Sequence, residues 1–197
     1  QKTREQLCTA ALRIIKHASY HNAATVEFLL DKDKNFYFIE ANTRIQVEHP
    51  VSEMVTGVDL IQWQLKVASG EELTLKQKDI PLNGSAIECR INAEDPENNF
   101  SPSPGTIEKY IPAGGPGVRL DTHIYQGYTV PSNYDSMLCK LIVHKPSRTE
   151  AIDTMKRALK EFVIEPIKTT IPACYNILSH TAFAKGKIDT GFVERNL

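Results

Sequence analysis

The sequence has no long apolar run, no surplus of either charge, no Cys-x-x-Cys pair and no repeated or low-complexity segment. Apolar stretches such as residues 36–39 and 137–139 fall far short of the ~18 residues needed to span a bilayer, so a soluble chain is expected. Lysine and arginine number 23 against 24 aspartates and glutamates, a net charge of −1, which supplies no field to draw the chain to nucleic acid or an anionic membrane. The opening Gln-Lys-Thr-Arg-Glu carries neither a signal-type apolar region nor an Arg-rich transit segment. It leads almost at once into a helical pattern and reads as a piece of a longer chain. Cys8, Cys89, Cys139 and Cys174 are scattered, three of them within apolar stretches. Reduced thiols are therefore expected rather than a disulfide framework or a zinc site, which favours a cytoplasmic location. The six histidines are expected in structural or solvated roles.

What is present is a folded globular composition, 41% apolar and 24% charged over 197 residues. Leu7, Ala11, Ile14, Ile15 and Ala18 recur at three- and four-residue spacing, predicting an amphipathic helix over 3–18. Asp59 starts a second helix that carries Leu60, Ile61, Leu65 and Ala68 inward until Gly70 stops it; Trp63 is expected as a core or interface anchor. Ser147-Arg148-Thr149-Glu150 is a capping box, followed by Ala151, Ile152, Met155, Leu159 and Phe162 on one helical face. A single helix is predicted over 171–183, with Pro172 in its first turn and Lys185-Gly186 after its end. Strands are expected at 86–92, 106–111, 118–124 and 138–144. The glycine-rich 112–117 lacks a following helix and a Gly-Lys-Ser or Gly-Lys-Thr ending, and so reads as a turn.

Two β-rich runs, 25–30 and 36–40, flank the turn composition Asp31-Lys32-Asp33-Lys34-Asn35 and predict an antiparallel hairpin. If Asp31 and Phe36 close a four-residue loop, Glu27 falls directly opposite Glu40. Opposed carboxylates repel unless a cation lies between them, and carboxylates aided by substrate phosphates are how Mg²⁺ is commonly held. A register slipped by one residue places the two on opposite faces, where they are simply solvated. The next residues, Glu40-Ala41-Asn42-Thr43-Arg44-Ile45-Gln46-Val47-Glu48-His49-Pro50, set Glu40, Asn42, Arg44, Gln46 and Glu48 at alternate positions. An extended segment would aim all five one way, giving a wall suited to a small anion or, read plainly, the wet face of an edge strand.

This run resembles the signature of biotin carboxylase, the ATP-grasp component of biotin-dependent carboxylases, with Ala41 where methionine is usual. The blocks Ile87-Glu88-Cys89-Arg90-Ile91-Asn92-Ala93-Glu94-Asp95-Pro96, Ser103-Pro104-Gly105 and Tyr134-Asp135-Ser136-Met137 resemble the same family in order, so the likeness covers essentially the whole chain. It implies an α+β fold: the end of an ATP-grasp domain over 1–69, then the mixed, largely antiparallel biotin carboxylase C-terminal domain over 70–197. Carried over residue by residue, Glu27, Glu40 and Asn42 match metal ligands for two Mg²⁺ or Mn²⁺ ions, and Glu27, Leu29 and Glu40 match ATP contacts. Arg44, Glu48 and Arg90 match catalytic residues, while Arg44, Gln46, Val47 and Arg90 match the substrate-binding set. Glu48 corresponds to the base that deprotonates bicarbonate, and Arg90 to the arginine that engages bicarbonate and steadies the biotin enolate. Independently of the likeness, the alternation Ile87, Cys89, Ile91 against Glu88, Arg90, Asn92 turns Arg90 to the open face of its strand. Arg119 matches a subunit-contact arginine, with Pro116 in place of a usual aromatic.

The implied activity of the whole enzyme is carboxylation of biotin on a carrier protein with ATP and bicarbonate. Its implied partners are the biotin carboxyl carrier protein and a carboxyltransferase, in a homodimer feeding acetyl-CoA carboxylase and fatty acid synthesis. The biotin carboxylase region of a pyruvate or acyl-CoA carboxylase, another ATP-grasp ligase, and a noncatalytic dimerisation or regulatory module are the competing readings. The family's phosphate lid and its ATP- and bicarbonate-contacting lysines precede the matching region, so this chain alone is expected to fold without catalysing.

Overall fold

The computed structural model describes residues 2–196. In chain order come α1 (Lys2–His17), β1 (Thr25–Leu30), β2 (Phe36–Asn42), α2 (His49–Thr56), α3 (Leu60–Ala68), β3 (Ser85–Asn92), β4 (Glu94–Asp95) and β5 (Ser101–Pro102). There follow β6 (Gly105–Thr106), β7 (Lys109–Ile111), β8 (Val118–Thr122), β9 (Thr129–Val130) and β10 (Met137–Lys145). The chain ends with α4 (Arg148–Glu161), β11 (Val163–Glu165), α5 (Ile171–Ser179), α6 (Thr181–Ala184) and α7 (Phe192–Asn196). Two compact units result: one takes the residues up to His49 together with Gly57–Pro81, the other Pro50–Thr56 together with the residues from Leu82 onward. No helix among the described residues is long and apolar enough to cross a membrane.

In the first unit, β1 and β2 form a two-stranded antiparallel hairpin. Its turn is built by Asp31, whose Oδ1 accepts from the backbone N–H of Asp33 (2.9 Å) and Asn35 (2.8 Å) while Oδ2 accepts from Asn35 Nδ2 (3.0 Å). The side-chain bond from Asn35, together with the two backbone donors, outweighs desolvation and holds the Asp31 carboxyl below its usual range. Asp59 caps α3 by accepting from Gln62 N at 2.7 Å, the start its sequence predicts. Trp63 is half-buried and lines a cavity of about 410 Å³ with Tyr20, Leu60, Val67, Leu73 and Leu75.

The second unit is built on the sheet β3-β10-β8, antiparallel throughout. Ile91, Leu141 and Val143 are fully buried, and α4 covers them with Ala151, Met155, Ala158 and Leu159. At ~1.5–3 kcal/mol for each large apolar side chain removed from water, this layer is the main stabilising element of the unit. Ser147 caps α4, accepting from Glu150 N at 3.2 Å and donating to Glu150 Oε1 at 2.7 Å.

Two expectations need correction. The single strand foreseen over 106–111 changes partner midway, with Gly105–Thr106 pairing β9 and Lys109–Ile111 pairing β11. Between them Ile107 turns fully into the core, its N–H donating to Tyr128 O (2.9 Å) and its carbonyl accepting from Gly127 N (2.7 Å). The helix foreseen over 171–183 breaks at His180, whose extended backbone (φ −74°, ψ 132°) ends α5 while its Nδ1 accepts from Ala182 N to start α6. Beyond α6, α7 seats a buried Phe192 edge-on to the His180 ring at 5.1 Å.

Candidate functional site

In the hairpin, Glu27 lies opposite Glu40, but by another route than a four-residue loop. The loop has five residues, because Leu30 pairs with Phe36, and the same register continues through Leu29 with Tyr37 and Phe28 with Phe38. Continued unbroken, it would set Glu27 against Ile39 and Glu40 against Val26, sending the two carboxylates to opposite faces. A β-bulge between Glu27 and Phe28 leaves Ile39 without a cross-strand partner and restores Glu27 to Glu40, Val26 to Ala41 and Thr25 to Asn42. The site is thus made by one extra residue in β2.

Opposed carboxylates on a strand pair are destabilising by ~0.2–1 kcal/mol when nothing intervenes. Here the amide of Asn42 intervenes: its Nδ2 donates to Glu27 Oε1 at 3.1 Å and to Glu40 Oε1 at 2.8 Å. Asn42 Oδ1 accepts from Arg44 Nη2 at 3.4 Å, and Arg44 Nη1 donates to Gln46 Oε1 at 3.0 Å and to Ile45 O at 3.1 Å. Five of the residues singled out in the sequence, Glu27, Glu40, Asn42, Arg44 and Gln46, therefore share one connected network. An amide nitrogen occupies the place between the carboxylates that a cation would take. Rotating that amide by half a turn presents its oxygen instead, giving two carboxylates and an amide oxygen, a hard-oxygen set that fits Mg²⁺.

The strict alternation does not persist through Glu48. Strand geometry ends at Asn42, the chain bends at Arg44, and Val47 and Glu48 occupy a turn leading into α2. Gln46 O receives both His49 N (3.2 Å) and His49 Nδ1 (2.7 Å), so the proton of this imidazole resides on Nδ1. Tyr20, just beyond the helix predicted over 3–18, braces the same loop: its hydroxyl lies between Ala23 O (3.0 Å) and Thr43 O (3.1 Å), within donating distance of both. Leu29 stands on the hairpin with 60% of its surface exposed.

Arg90 belongs to the second unit, where it is the exposed residue of β3 between the buried Cys89 and Ile91. Behind it Thr170, 7% exposed, forms a clamp. Thr170 Oγ1 donates to Arg90 O (3.1 Å) and accepts from Asn92 N (3.0 Å), and Thr170 N donates to Asn92 O (3.1 Å). Thr170 carries no local motif, and nothing in the sequence points to it. The other resembling blocks converge nearby: Glu94 Oε1 accepts from Asn92 Nδ2 (3.1 Å) and Ser136 Oγ (2.5 Å). Ala93 N donates to Ser136 O (2.7 Å), and Ala93 O accepts from Ser103 N (2.8 Å). These blocks form the joint that fixes the end of the Arg90 strand.

Across the sheet, Lys140 sits between Arg90 on β3 and Asp121 on β8. Asp121 grips Arg119 with both oxygens (2.8 and 2.9 Å), and Arg119 Nη1 donates to Glu53 Oε2 at 2.7 Å. Burial alone would push the Asp121 carboxyl up, but Arg119 and then Lys140 outweigh it and hold it below the usual carboxylate range. Asp121 and Glu53 correspondingly raise Arg119 against its own desolvation.

Comparison with known proteins matches residues 88–195 to the biotin carboxylase C-terminal domain and residues 1–76 to the carbamoyl-phosphate synthase L chain ATP-binding domain. Biotin carboxylase 1 of Bacillus subtilis is 56% identical over 192 residues, covering 97% of this chain and 43% of the relative. A pyruvate carboxylase subunit from Methanothermobacter thermautotrophicus is 52% identical over 191 residues, covering 97% and 39%. The biotin carboxylase domain dimer of Hydrogenobacter thermophilus 2-oxoglutarate carboxylase, solved with MgADP, ADP and bicarbonate, superposes with a TM-score of 0.93 at 47% identity, over 98% of this chain and 43% of that one. The chain spans about two fifths of the length of the curated relatives it matches. With residues 88–195 matched to that family's C-terminal domain and relatives above half identity along nearly its whole length, the chain belongs to the biotin carboxylase family.

Proposed function

We propose that the whole protein carboxylates biotin on a carrier protein, using ATP and bicarbonate. The observation that carries this reading is the Glu27–Asn42–Glu40 bridge continuing into Arg44 and Gln46, a metal-and-anion wall on the hairpin and the loop that follows it. Glu27, Glu40 and Asn42 would hold the Mg²⁺ or Mn²⁺ ions, which when bound neutralise the triphosphate oxygens. Glu27, Leu29 and Glu40 contribute to the ATP side of the site. Arg44, Gln46 and the Val47 backbone orient bicarbonate, and Glu48 takes its proton so that the oxygen can attack the terminal phosphoryl group. Arg90 faces the oxygen of biotin's ureido group as negative charge develops there, a contribution of ~3 kcal/mol when such a donor is preorganised.

The MgADP- and bicarbonate-bound relative supports the metal and substrate assignments. A carboxyltransferase partner, a homodimer, a cytoplasmic location and a place in acetyl-CoA carboxylase and fatty acid synthesis complete the reading. The likeness to a pyruvate carboxylase component favours one second reading, in which the acceptor downstream is pyruvate. Because positioning supplies most of phosphoryl-transfer catalysis, this chain by itself should be inactive. In the full-length protein, Glu40→Gln should abolish metal-dependent ATP cleavage. Bicarbonate-dependent ATP cleavage without biotin should fall in Glu48→Gln and survive better in Arg90→Ala. Wild-type ATP kinetics in Glu40→Gln would overturn the metal assignment, and equal losses in the other two variants would overturn the division between base and enolate donor.

A further inference from the structure

The face of the β3-β10-β8 sheet that carries Arg90 is laid out in rows. One row runs Arg90, Lys140, Asp121 across the three strands, and the next runs Glu88, Ile142, Arg119. Directly paired residues share a face of the sheet, so Lys140 stands between Arg90 and Asp121. Two cations set opposite each other on a strand pair are destabilising, and the Arg90–Lys140 pair therefore costs the sheet stability. Lys140 is tied to the other side: its Nζ lies 3.4 Å from Asp121 Oδ2, and its side chain is only 13% exposed. The same oxygen accepts from Arg119 Nη2 at 2.9 Å, while Oδ1 accepts from Arg119 Nε at 2.8 Å. Both oxygens of Asp121 are thus taken by cations. Burial opposes ionisation of Asp121, but Arg119 and then Lys140 outweigh it, so the carboxylate stays charged. Arg90, the exposed residue of β3, is two strand spacings from Asp121, ~10 Å between backbones, a gap that an arginine and an aspartate side chain together span.

We propose that Lys140 is a positioning residue for Arg90: by occupying Asp121 and setting a positive charge across from the guanidinium, it bars Arg90 from folding back over β10 onto that carboxylate. The guanidinium is thereby kept turned to the open side of the sheet. What this does for the reaction rests on the role proposed above for Arg90. A guanidinium clasped by a carboxylate of its own chain has its donors spent and its charge offset, and it no longer meets the charge developing on the ureido oxygen. The unfavourable cation pair then has a purpose, since the repulsion that weakens the sheet is what holds Arg90 outward. Glu88 lies two residues before Arg90 on the same face and is the same in every variant below, so the comparisons isolate Asp121.

The test uses the full-length protein and reads Arg90 both directly and through the reaction. Modification of Arg90 by phenylglyoxal, followed by mass spectrometry, should slow about fivefold in Lys140→Met as Asp121 captures the guanidinium, and stay within about twofold of wild type in Lys140→Arg. Adding Asp121→Asn to Lys140→Met removes the trap and should restore the labelling rate. In parallel, kcat for biotin carboxylation should fall at least about tenfold in Lys140→Met and return in the double variant, while bicarbonate-dependent ATP cleavage without biotin stays within about twofold throughout. Lys140→Gln takes the place of the methionine variant should that one not fold. Unchanged Arg90 labelling in the neutral variant, or a double variant that labels as slowly as the single one, would overturn the proposal. So would an equal loss of biotin-independent ATP cleavage that persists in the double variant, the mark of a merely structural lysine. Slowed and restored labelling with carboxylation undiminished would uphold the positioning and refute instead the role given to Arg90.

Discussion

Replacing Thr170 by valine keeps the shape of a side chain that is only 7% exposed while removing its hydroxyl. Two bonds are lost: the one Oγ1 donates to Arg90 O at 3.1 Å and the one it accepts from Asn92 N at 3.0 Å. The second loss matters more, because valine leaves the Asn92 N–H facing a methyl group in a water-poor setting. An unsatisfied interior donor costs ~1–3 kcal/mol and the other bond contributes ~1 kcal/mol, so Thr170→Val should destabilise the second unit by ~2–4 kcal/mol. Thr170→Ser keeps the hydroxyl and should lose no more than ~1 kcal/mol of packing. Urea unfolding followed by far-ultraviolet circular dichroism measures both, and hydrogen exchange at the Asn92 amide locates the change. A valine variant within ~0.5 kcal/mol of wild type, or a serine variant as unstable as the valine one, would refute the clamp.

Glu53→Gln should cost ~1–3 kcal/mol in the same assay, since Glu53 is 9% exposed at its side chain and holds one arm of Arg119; a change within error would show that Asp121 alone satisfies that guanidinium. Asp121, whose carboxyl is held low, contributes stability that is present above its unfolded pKa of about 3.9 and is lost as pH falls through the still lower folded value. The gap in stability between wild type and Asp121→Asn should accordingly be wide at neutral pH and close below about pH 4, and an unchanged gap would refute the ion-pair origin. Ser147→Ala should cost ~1 kcal/mol through loss of the α4 cap, with neutral behaviour counting against a capping role for that bond.

Local periodicity makes part of this molecule legible. The alternation along 85–92 predicts which side chains enter the core and that Arg90 does not, because a strand's period is set by its own backbone. Asp59 and Ser147 announce their helices for a similarly local reason. What escapes is non-local. Thr170 acts on residues far away in sequence, and the partner change at Ile107 depends on β9 and β11, which lie later in the chain. His180 ends a helix because its ring finds Ala182 N and Phe192, neither of which an apolar pattern reveals. The pairing of Glu27 with Glu40 follows in the sequence from a loop one residue too short, an error that the bulge at Ile39 offsets.

That bulge turns the carboxylate pair into a matter of parity. Residues on a hairpin face one way or the other by odd and even count from the last regular pair, and Ile39 is the single place where the count in β2 skips. The turn at 31–35 can lengthen or shorten without consequence, since Leu30 and Phe36 re-close it and all identities beyond are preserved. One residue added between Phe38 and Glu40 instead inverts everything downstream, Glu40 and Asn42 together, whereas loss of Ile39 removes the bulge and leaves Glu27 opposite Glu40 in a regular ladder. Insertions in this family should therefore be tolerated in the turn and excluded from the two residues that follow Phe38.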